Sequence, residues 1–348
     1  MKFLDNIFKD IGIDLGTANS IVYLKGRGIV INEPTVAAIN TKINKIIAVG
    51  EEAKKMIGRT PAHINVVRPL INGVISDFEM TQEFLRELLL RLRTNRILMS
   101  YRRAVLSIPN DLTEVERKSV EDAAVNTGCS HVFLAESPIA AALGAGLPIT
   151  EPTASLIVDI GGGTTDIAVI SLGGTVVSKT LKIAGDKFNE DISRFVRDEF
   201  RLAIGESTAE FAKISVGSAL PASEKLDAPI RGRDFATGLP REVIIKDSHV
   251  RAALSRSLVA IVESIHEVIE TTPPELVGDV LNRGIYLCGG GALLRGIGEL
   301  INKEICVPVR IVEDPLTCVI RGLGNIVEEF DLYKGLLSAS PKPLAINL

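Results

Sequence analysis

Apolar and polar positions alternate in short blocks along most of the chain, and two of the blocks repeat one order. Ile13 leads through Asp14, Leu15, Gly16, Thr17, Ala18, Asn19 and Ser20 to the apolar run Ile21 to Leu24. Farther on, the apolar run Ser155 to Val158 leads through Asp159, Ile160, Gly161, Gly162, Gly163, Thr164, Thr165 and Asp166 to Ile167 through Ile170. Each block predicts strand, glycine turn, strand. The repeat predicts a chain of two related halves.

Other periodicities fill in the elements between. Phe3, Leu4, Ile7 and Phe8 stand opposite Lys2, Asp5, Asn6 and Lys9, which predicts a short amphipathic helix over residues 1–9. Two readings fit it: a terminal helix docked on its own domain, or one lying on lipid. Strands are expected at 28–32, 35–40 and 104–108, and a helix at 81–93 with Phe84, Leu85, Leu88, Leu89 and Leu92 on one face. Residues 91–103 carry five arginines around Ile97, Leu98, Met99 and Tyr101, which suits a loop dipping into anionic lipid or a buried turn with snorkelling arginines. Thr113 with Glu116 predicts a capping box that opens a helix, and Gly128 follows its end. Ser207 with Glu210 predicts a second box, placing Lys213 one turn after Glu210. Further helices are expected at 187–203, at 249–271 up to Pro273, at 292–303 and up to Glu329, and a strand at 284–288 runs into Gly289, Gly290 and Gly291.

A length of 348 residues predicts about two domains. The net charge of −4 and the absence of aromatic-basic interleaving exclude nucleic acid as a partner. Cys129, Cys288, Cys306 and Cys318 show no CxxC spacing and the four histidines are dispersed, so neither a disulfide framework nor zinc is expected. Asp5, Asn6, Lys9 and Asp10 interrupt any signal-peptide core, and no apolar run is long enough to span a membrane. A cytoplasmic protein is expected.

Candidate chemistry comes from the glycine turns. A carboxylate leaves each first strand just where small residues bare backbone N–H groups and a hydroxyl follows, which suits a polyphosphate with a metal nearby; a plain hairpin is the alternative for either turn alone. Two such hairpins can hold phosphates from both sides, with Asp14 and Asp159 on a hydrated Mg²⁺. The third turn, Gly289 to Gly291, is neither a P-loop nor a dinucleotide fingerprint, since Leu294 takes the last glycine position.

At this point the chain resembles the superfamily of actin, heat-shock chaperone ATPases and sugar kinases. The resembling motifs are Asp14-Leu15-Gly16-Thr17, Asp159 to Thr164, and Cys288 to Ala292. Within it the chain is most similar to the MreB family of bacterial actin relatives, through Ile13 to Asn19, Thr113 to Arg117, Ile204 to Glu206 with Thr208 to Glu210, Thr272 to Leu276 and Glu313 to Thr317. The resemblance implies an α/β actin-like ATPase fold: two large RNase H-like subdomains (1–33, 67–145 and 313–336; 146–181 and 247–312), each with a small companion (34–66; 182–246), ATP in the cleft between them, and a loose tail at 337–348. It implies phosphate contacts at Gly16, Thr17, Ala18, Asn19, Gly161, Gly162, Gly163 and Thr164. Glu210, Phe211, Ala212 and Lys213 would meet ribose and adenine, and Gly290, Gly291, Ala292, Leu293 and Leu294 the adenosine side. Glu116 and Thr164 would place the attacking water, with Asp159 on the metal. It further implies homopolymeric filaments on the inner membrane face, held by Phe3, Leu4, Ile7, Phe8, Ile97, Leu98 and Met99, that work with the cell-wall elongation machinery. The competing expectation is a small-molecule kinase of the same superfamily. Two departures stand out: Asp166 replaces a more usual Glu, and Pro109-Asn110-Asp111-Leu112 departs from Pro-x-Gly-x.

Overall fold

A computed structural model describes residues 8–92, 100–221 and 225–339. The chain divides into two units, Met1–Pro152 with Ser171–Thr175 and Thr317–Leu348, and Thr153–Ile170 with Val176–Leu316.

The first unit opens with β1 (Phe8–Leu15), β2 (Asn19–Leu24), β3 (Gly28–Pro34), β4 (Ala37–Asn40), β5 (Lys45–Val49), α1 (Glu51–Lys54) and β6 (Ile64–Val67). A two-residue pair follows, β7 (Leu70–Ile71) and β8 (Val74–Ile75), then α2 (Phe78–Leu90), β9 (Ser100–Ile108), α3 (Glu114–Asn126), β10 (Cys129–Glu136) and α4 (Ser137–Gly144). Ile11 and Ile13 of β1, Val22 and Leu24 of β2, and Ala104 and Leu106 of β9 are buried with Phe84, Leu85, Leu88 and Leu89 of α2 and Ala123 and Ala124 of α3. The apolar stripe of α2 predicted from spacing is thus the face that packs, and Asp77 caps its start through a bond from the Met80 N–H at 2.9 Å. Because β1, β9 and β10 run parallel, their carboxyl ends share one edge of the sheet. That edge is where an open α/β sheet holds ligands.

Several expectations change here. Phe8 and Lys9 open a strand and do not close a helix, since they pair with Ser100 and Tyr101. The strand expected at 104–108 begins at Ser100, and Tyr101 is buried. Residues 41–59, for which no element is expected, hold β5 and α1; β5 joins β4 and β6 in a separate three-stranded sheet with its own core of Val36, Ala38, Ala48 and Ala53.

The second unit contains β11 (Ser155–Ile160), β12 (Thr165–Ser171) up to Ile170, β13 (Gly174–Leu181) from Val176, α5 (Gly185–Phe200), β14 (Leu202–Ala203), α6 (Glu206–Val216), β15 (Asp227–Asp234) and β16 (Pro240–Lys246). Then come α7 (Asp247–Thr271), α8 (Pro274–Arg283), β17 (Ile285–Cys288), a 3₁₀ turn at Gly290–Leu293, α9 (Ile297–Ile305) and β18 (Val309–Ile311). The first unit resumes with α10 (Cys318–Glu328), α11 (Phe330–Tyr333) and β19 (Ser338–Ala339), which pairs with β10. Residues 338 and 339 of the expected loose tail are therefore in a sheet.

Phe188, Ile192 and Val196 of α5, Ala209, Ala212 and Val216 of α6, and Leu254, Leu258, Ile261 and Ile265 of α7 form one core with β11, β12 and β17. The helix expected to reach Ala203 stops at Phe200, because Arg201 adopts a left-handed conformation (φ 53°) and turns Leu202 and Ala203 into pairing with β15. Just past the Pro273 that ends α7, Pro274 stands at the first turn of α8, a position that needs no N–H from it. The two principal sheets follow one plan. Their orders are β3-β2-β1-β9-β10 and β13-β12-β11-β17-β18, with β1/β2 and β11/β12 antiparallel and β1/β9 and β11/β17 parallel.

Candidate functional site

Asp14 leaves the carboxyl end of β1, where Ser107 of β9 donates a hydrogen bond to it at 2.7 Å. Burial pushes the Asp14 carboxyl up to about 6, against the lowering effect of that bond. The turn after it is tied down from below. The Gly16 N–H reaches Asn19 O at 3.1 Å, the Thr35 hydroxyl donates to Gly16 O at 2.6 Å, and the Thr35 N–H meets Ala18 O at 2.9 Å. A Cβ on Gly16 would lie 2.7 Å from Asn19 O, so no side chain fits there. Thr17 accepts from the Gly73 N–H at 2.9 Å and keeps its hydroxyl hydrogen to give. The N–H groups of Thr17 and Ala18 take no partner among the described residues.

The second turn is built alike. Asp159 ends β11, and the Gly161 N–H meets Thr164 O at 2.9 Å. The carbonyls of Gly161 and Gly162 accept from Gly185 and Asp186 at the start of α5, at 3.1 and 2.8 Å. Again two consecutive N–H groups, those of Gly162 and Gly163, have no partner among the described residues. Lys213 of α6 donates to Gly185 O at 2.9 Å, which brings its ammonium beside this turn. Asp166 sits directly across from Asp159 in the β11–β12 ladder and is buried. Its two oxygens accept from Thr164 at 3.0 Å and from Thr180 at 2.5 Å.

The glycines at 289 and 291 are there for close approach. A Cβ on Gly289 (φ 78°) would lie 2.3 Å from Asp159 Oδ1, and one on Gly291 would lie 2.2 Å from the Ile160 side chain. The third turn therefore rests on the end of β11. The helix expected from Ala292 begins at Ile297 after the 3₁₀ turn, with Gly296 left-handed before it, so no α-helix N-terminus opens at the glycines. Leu294 lies near Gly217 at the end of α6, where a Cβ would come within 3.0 Å of it, and Ala292 is buried, leaving Gly290 and the exposed Leu293 as the accessible members.

Along α6, Glu210 and Lys213 share a face, Ala212 points into the core, and Phe211 projects nearly opposite Lys213. Phe211, expected with the ribose and adenine contacts, lines a groove with Ser207, Thr208, Pro229 and Arg231. The second expected capping box is also absent. Gly205 precedes α6 without a side-chain cap and Ser207 lies inside the helix, which removes that competing explanation of Glu210. The first box is present: Glu116 Oε2 accepts from the Thr113 N–H at 2.8 Å and its hydroxyl at 2.7 Å. Glu116 stands in the first turn of α3, which follows the carboxyl end of β9, the same sheet edge as Asp14.

Among the described residues, no three His, Cys, Asp or Glu side chains cluster to hold a metal. A single carboxylate can serve Mg²⁺, which keeps waters and phosphate oxygens for the rest, so the Asp14 turn and the Asp159 turn, each by itself, have the chemistry to face that ion. The paired amides suit phosphate oxygens. The family model of the MreB/Mbl protein matches residues 8–335.

The chain belongs to the MreB/Mbl family. It is 46% identical over 323 residues to the cell shape-determining protein Mbl of Bacillus subtilis, covering 93% of this chain and 97% of that protein. It is 44% identical over 338 residues to the cell shape-determining protein MreB of Escherichia coli, covering 96% and 97%. Its fold matches MreB5 of Spiroplasma citri bound to ADP, with TM-score 0.89, 40% identity and coverage of 94% and 98%. MreB5 bound to AMPPNP matches alike, at TM-score 0.89 and 39% identity over 94% and 99% of the two chains. The fold is thus the actin-like one expected from the resemblance.

Ser107 and Gly185 were not singled out in the sequence. Ser107 was findable only by aligning β9 with β17, and Gly185 carries no local signal. Of the residues expected at a membrane, Phe3, Leu4, Ile7, Ile97, Leu98 and Met99 lie outside the described residues, and Phe8 is in β1. Among the described residues no helix is long and apolar enough to cross a membrane.

Proposed function

We propose that this MreB/Mbl family member binds and hydrolyses ATP, polymerises into filaments on the inner face of the cell membrane, and maintains cell shape by organising cell-wall synthesis. The observation that carries the reading is the pair of turns, each with an Asp at a strand end followed by two consecutive unpartnered N–H groups. Two amides side by side bind phosphate oxygens, and a carboxylate beside them holds hydrated Mg²⁺, whose part is to neutralise charge on the phosphates. Gly16 to Asn19 and Gly161 to Thr164 hold phosphate, Asp14 and Asp159 face the ion, and Lys213 and Glu210 take the nucleoside side with Gly290 and Leu293. Glu116 and Thr164 orient the attacking water. The four-part division into two large and two small subdomains goes with this reading. So does self-association, since filament formation is the output that nucleotide turnover would time.

The test is sedimentation with ATP and Mg²⁺ in the presence of anionic liposomes, phosphate release in parallel, and electron microscopy of the pellet. Filaments on the liposomes with slow phosphate release are expected. A monodisperse protein that moves phosphate to a small acceptor would overturn the cytoskeletal reading. Removing residues 1–7 tests the membrane claim, and unchanged liposome binding would sink it for that segment.

A further inference from the structure

We propose that Asp166 is a positioning residue for hydrolysis: it takes the hydroxyl hydrogen of Thr164, so that Thr164 can only accept a hydrogen bond from the attacking water. This rests on the proposed ATPase reading and adds to it a role for a residue that this reading leaves idle. A carboxylate accepts and does not donate. Thr164 and Thr180 each sit on one oxygen of Asp166, at 3.0 and 2.5 Å, so both hydroxyl hydrogens point at it. Asp166 is only 4% exposed and is held in the β11–β12 ladder opposite Asp159, so it cannot swing away. The Thr165 hydroxyl, the other candidate, is buried and donates to Ile183 O at 2.6 Å.

The consequence is directional. With its hydrogen spent, Thr164 Oγ1 offers lone pairs to the partly exposed side of the turn. A water that donates there turns its own lone pair elsewhere, toward a terminal phosphorus. In the step itself the water oxygen bonds to that phosphorus and the bridging P–O bond breaks, its electron pair going to the diphosphate. The water's proton leaves with the released phosphate. A Thr164 hydroxyl free to rotate would also donate to the water and so misplace that lone pair. Thr180 occupies the other oxygen of Asp166, and the oxygen facing Thr164 accepts whether or not Thr180 is there.

The experiment uses three near-isosteric variants of the full chain: Asp166→Asn, Thr180→Val and the two combined. An amide has one acceptor for two hydroxyls, and its orientation follows the stronger partner. In Asp166→Asn the Thr180 hydroxyl keeps the amide oxygen, and the amide N–H then donates to Thr164 and turns its hydrogen outward. Single-turnover phosphate release is expected to fall on the order of tenfold or more, while affinity for a fluorescent ATP analogue stays within about twofold. Adding Thr180→Val removes the competitor, lets the amide flip its oxygen to Thr164, and restores the rate to within about threefold. Thr180→Val alone keeps the rate. In nucleotide-free protein the Thr164 methyl NMR resonance should shift in Asp166→Asn and return in the double variant. Wild-type rates in Asp166→Asn overturn the proposal, as does a double variant slower than the single one, which marks a packing role. If wild-type protein neither binds the ATP analogue nor releases phosphate, the ATPase reading itself has failed, while the Thr164 resonance still reports on the hydrogen-bond direction.

Discussion

Replacing Asp10 by Asn should destabilise the first unit by about 2–3 kcal/mol at neutral pH, between the 0–1 of an exposed ion pair and the 3–5 of breaking a buried one. Asp10 is 4% exposed at the start of β1, where a register shift in the ladder sets it opposite Arg103. That irregularity lets two arginines reach one carboxylate, Arg103 at 2.5 Å and Arg102 at 3.3 Å. The Arg102 side chain is half exposed and adds little, whereas Arg103 is largely buried and lies 4.1 Å from the Phe330 ring centre. Losing Asp10 would leave that guanidinium enclosed with the ring as its one charge-stabilising neighbour among the described residues. Burial alone would raise the Asp10 carboxyl, but the bonds and charges of Arg103 and Arg102 outweigh it and hold the group below its ordinary value. A folded value below the unfolded one, about 3.9, means the stabilisation is full above that pH and disappears as pH falls through the folded value. Thermal unfolding of wild type and Asp10→Asn should therefore differ by about 5–10 °C at pH 7 and converge toward pH 3. A difference under about 0.5 kcal/mol at pH 7, or one that stays constant down to pH 3, would refute the reasoning.

Three further outcomes are expected. Ser107→Ala removes the bond to Asp14, worth about 1.5–3 kcal/mol for a charged acceptor, and should lower folding stability while raising the Mg²⁺–ATP dissociation constant by about tenfold or more in calorimetric titration. Gly322→Ala would place a methyl 1.7 Å from Ala140 O, forcing α4 and α10 apart at a cost of about 3 kcal/mol in unfolding, whereas Gly335→Ala, with nothing among the described residues within 4 Å, should stay within about 0.5 kcal/mol. Thr113→Ala breaks the capping box and should cost about 1 kcal/mol, read as faster amide exchange in the first turn of α3.

What the sequence made legible was whatever repeats over short range. The two Asp-glycine hairpins, the stripe of α2 and the Thr113 box each lie within one or two elements, and each is where it was expected. What it hid depended on partners distant in the chain. Ser207 and Glu210 have the spacing of Thr113 and Glu116, yet Gly205 starts α6 two residues earlier, and nothing local tells the two boxes apart. Arg102 and Arg103 read as part of a basic loop because Asp10, their counter-charge, is on another strand. Glycines 289 and 291 looked like a ligand turn before an α-helix, while their smallness is demanded by Asp159 and Ile160 beneath them.

The duplicated sheet plan also explains how two similar turns came to differ. Leu106 pairs with Ile13 as Leu287 pairs with Val158, so Ser107 and Cys288 hold equivalent places beside the two aspartates. Across the hairpin, Asp14 faces Ile21 where Asp159 faces Asp166. Asp14 thus has one hydroxyl and otherwise apolar neighbours in its ladder, and burial raises its carboxyl accordingly. Asp159 instead shares its face with a second carboxylate that two threonines hold in place. A lone carboxylate in apolar surroundings gains most from a bound cation, since the cation replaces the solvation that burial removed. The second turn has its carboxylate field already built in, and its extra acidic residue is spent on orienting Thr164. One sheet plan thus carries two different carboxylate settings: a single buried carboxylate at the Asp14 turn, and a facing pair at the Asp159 turn.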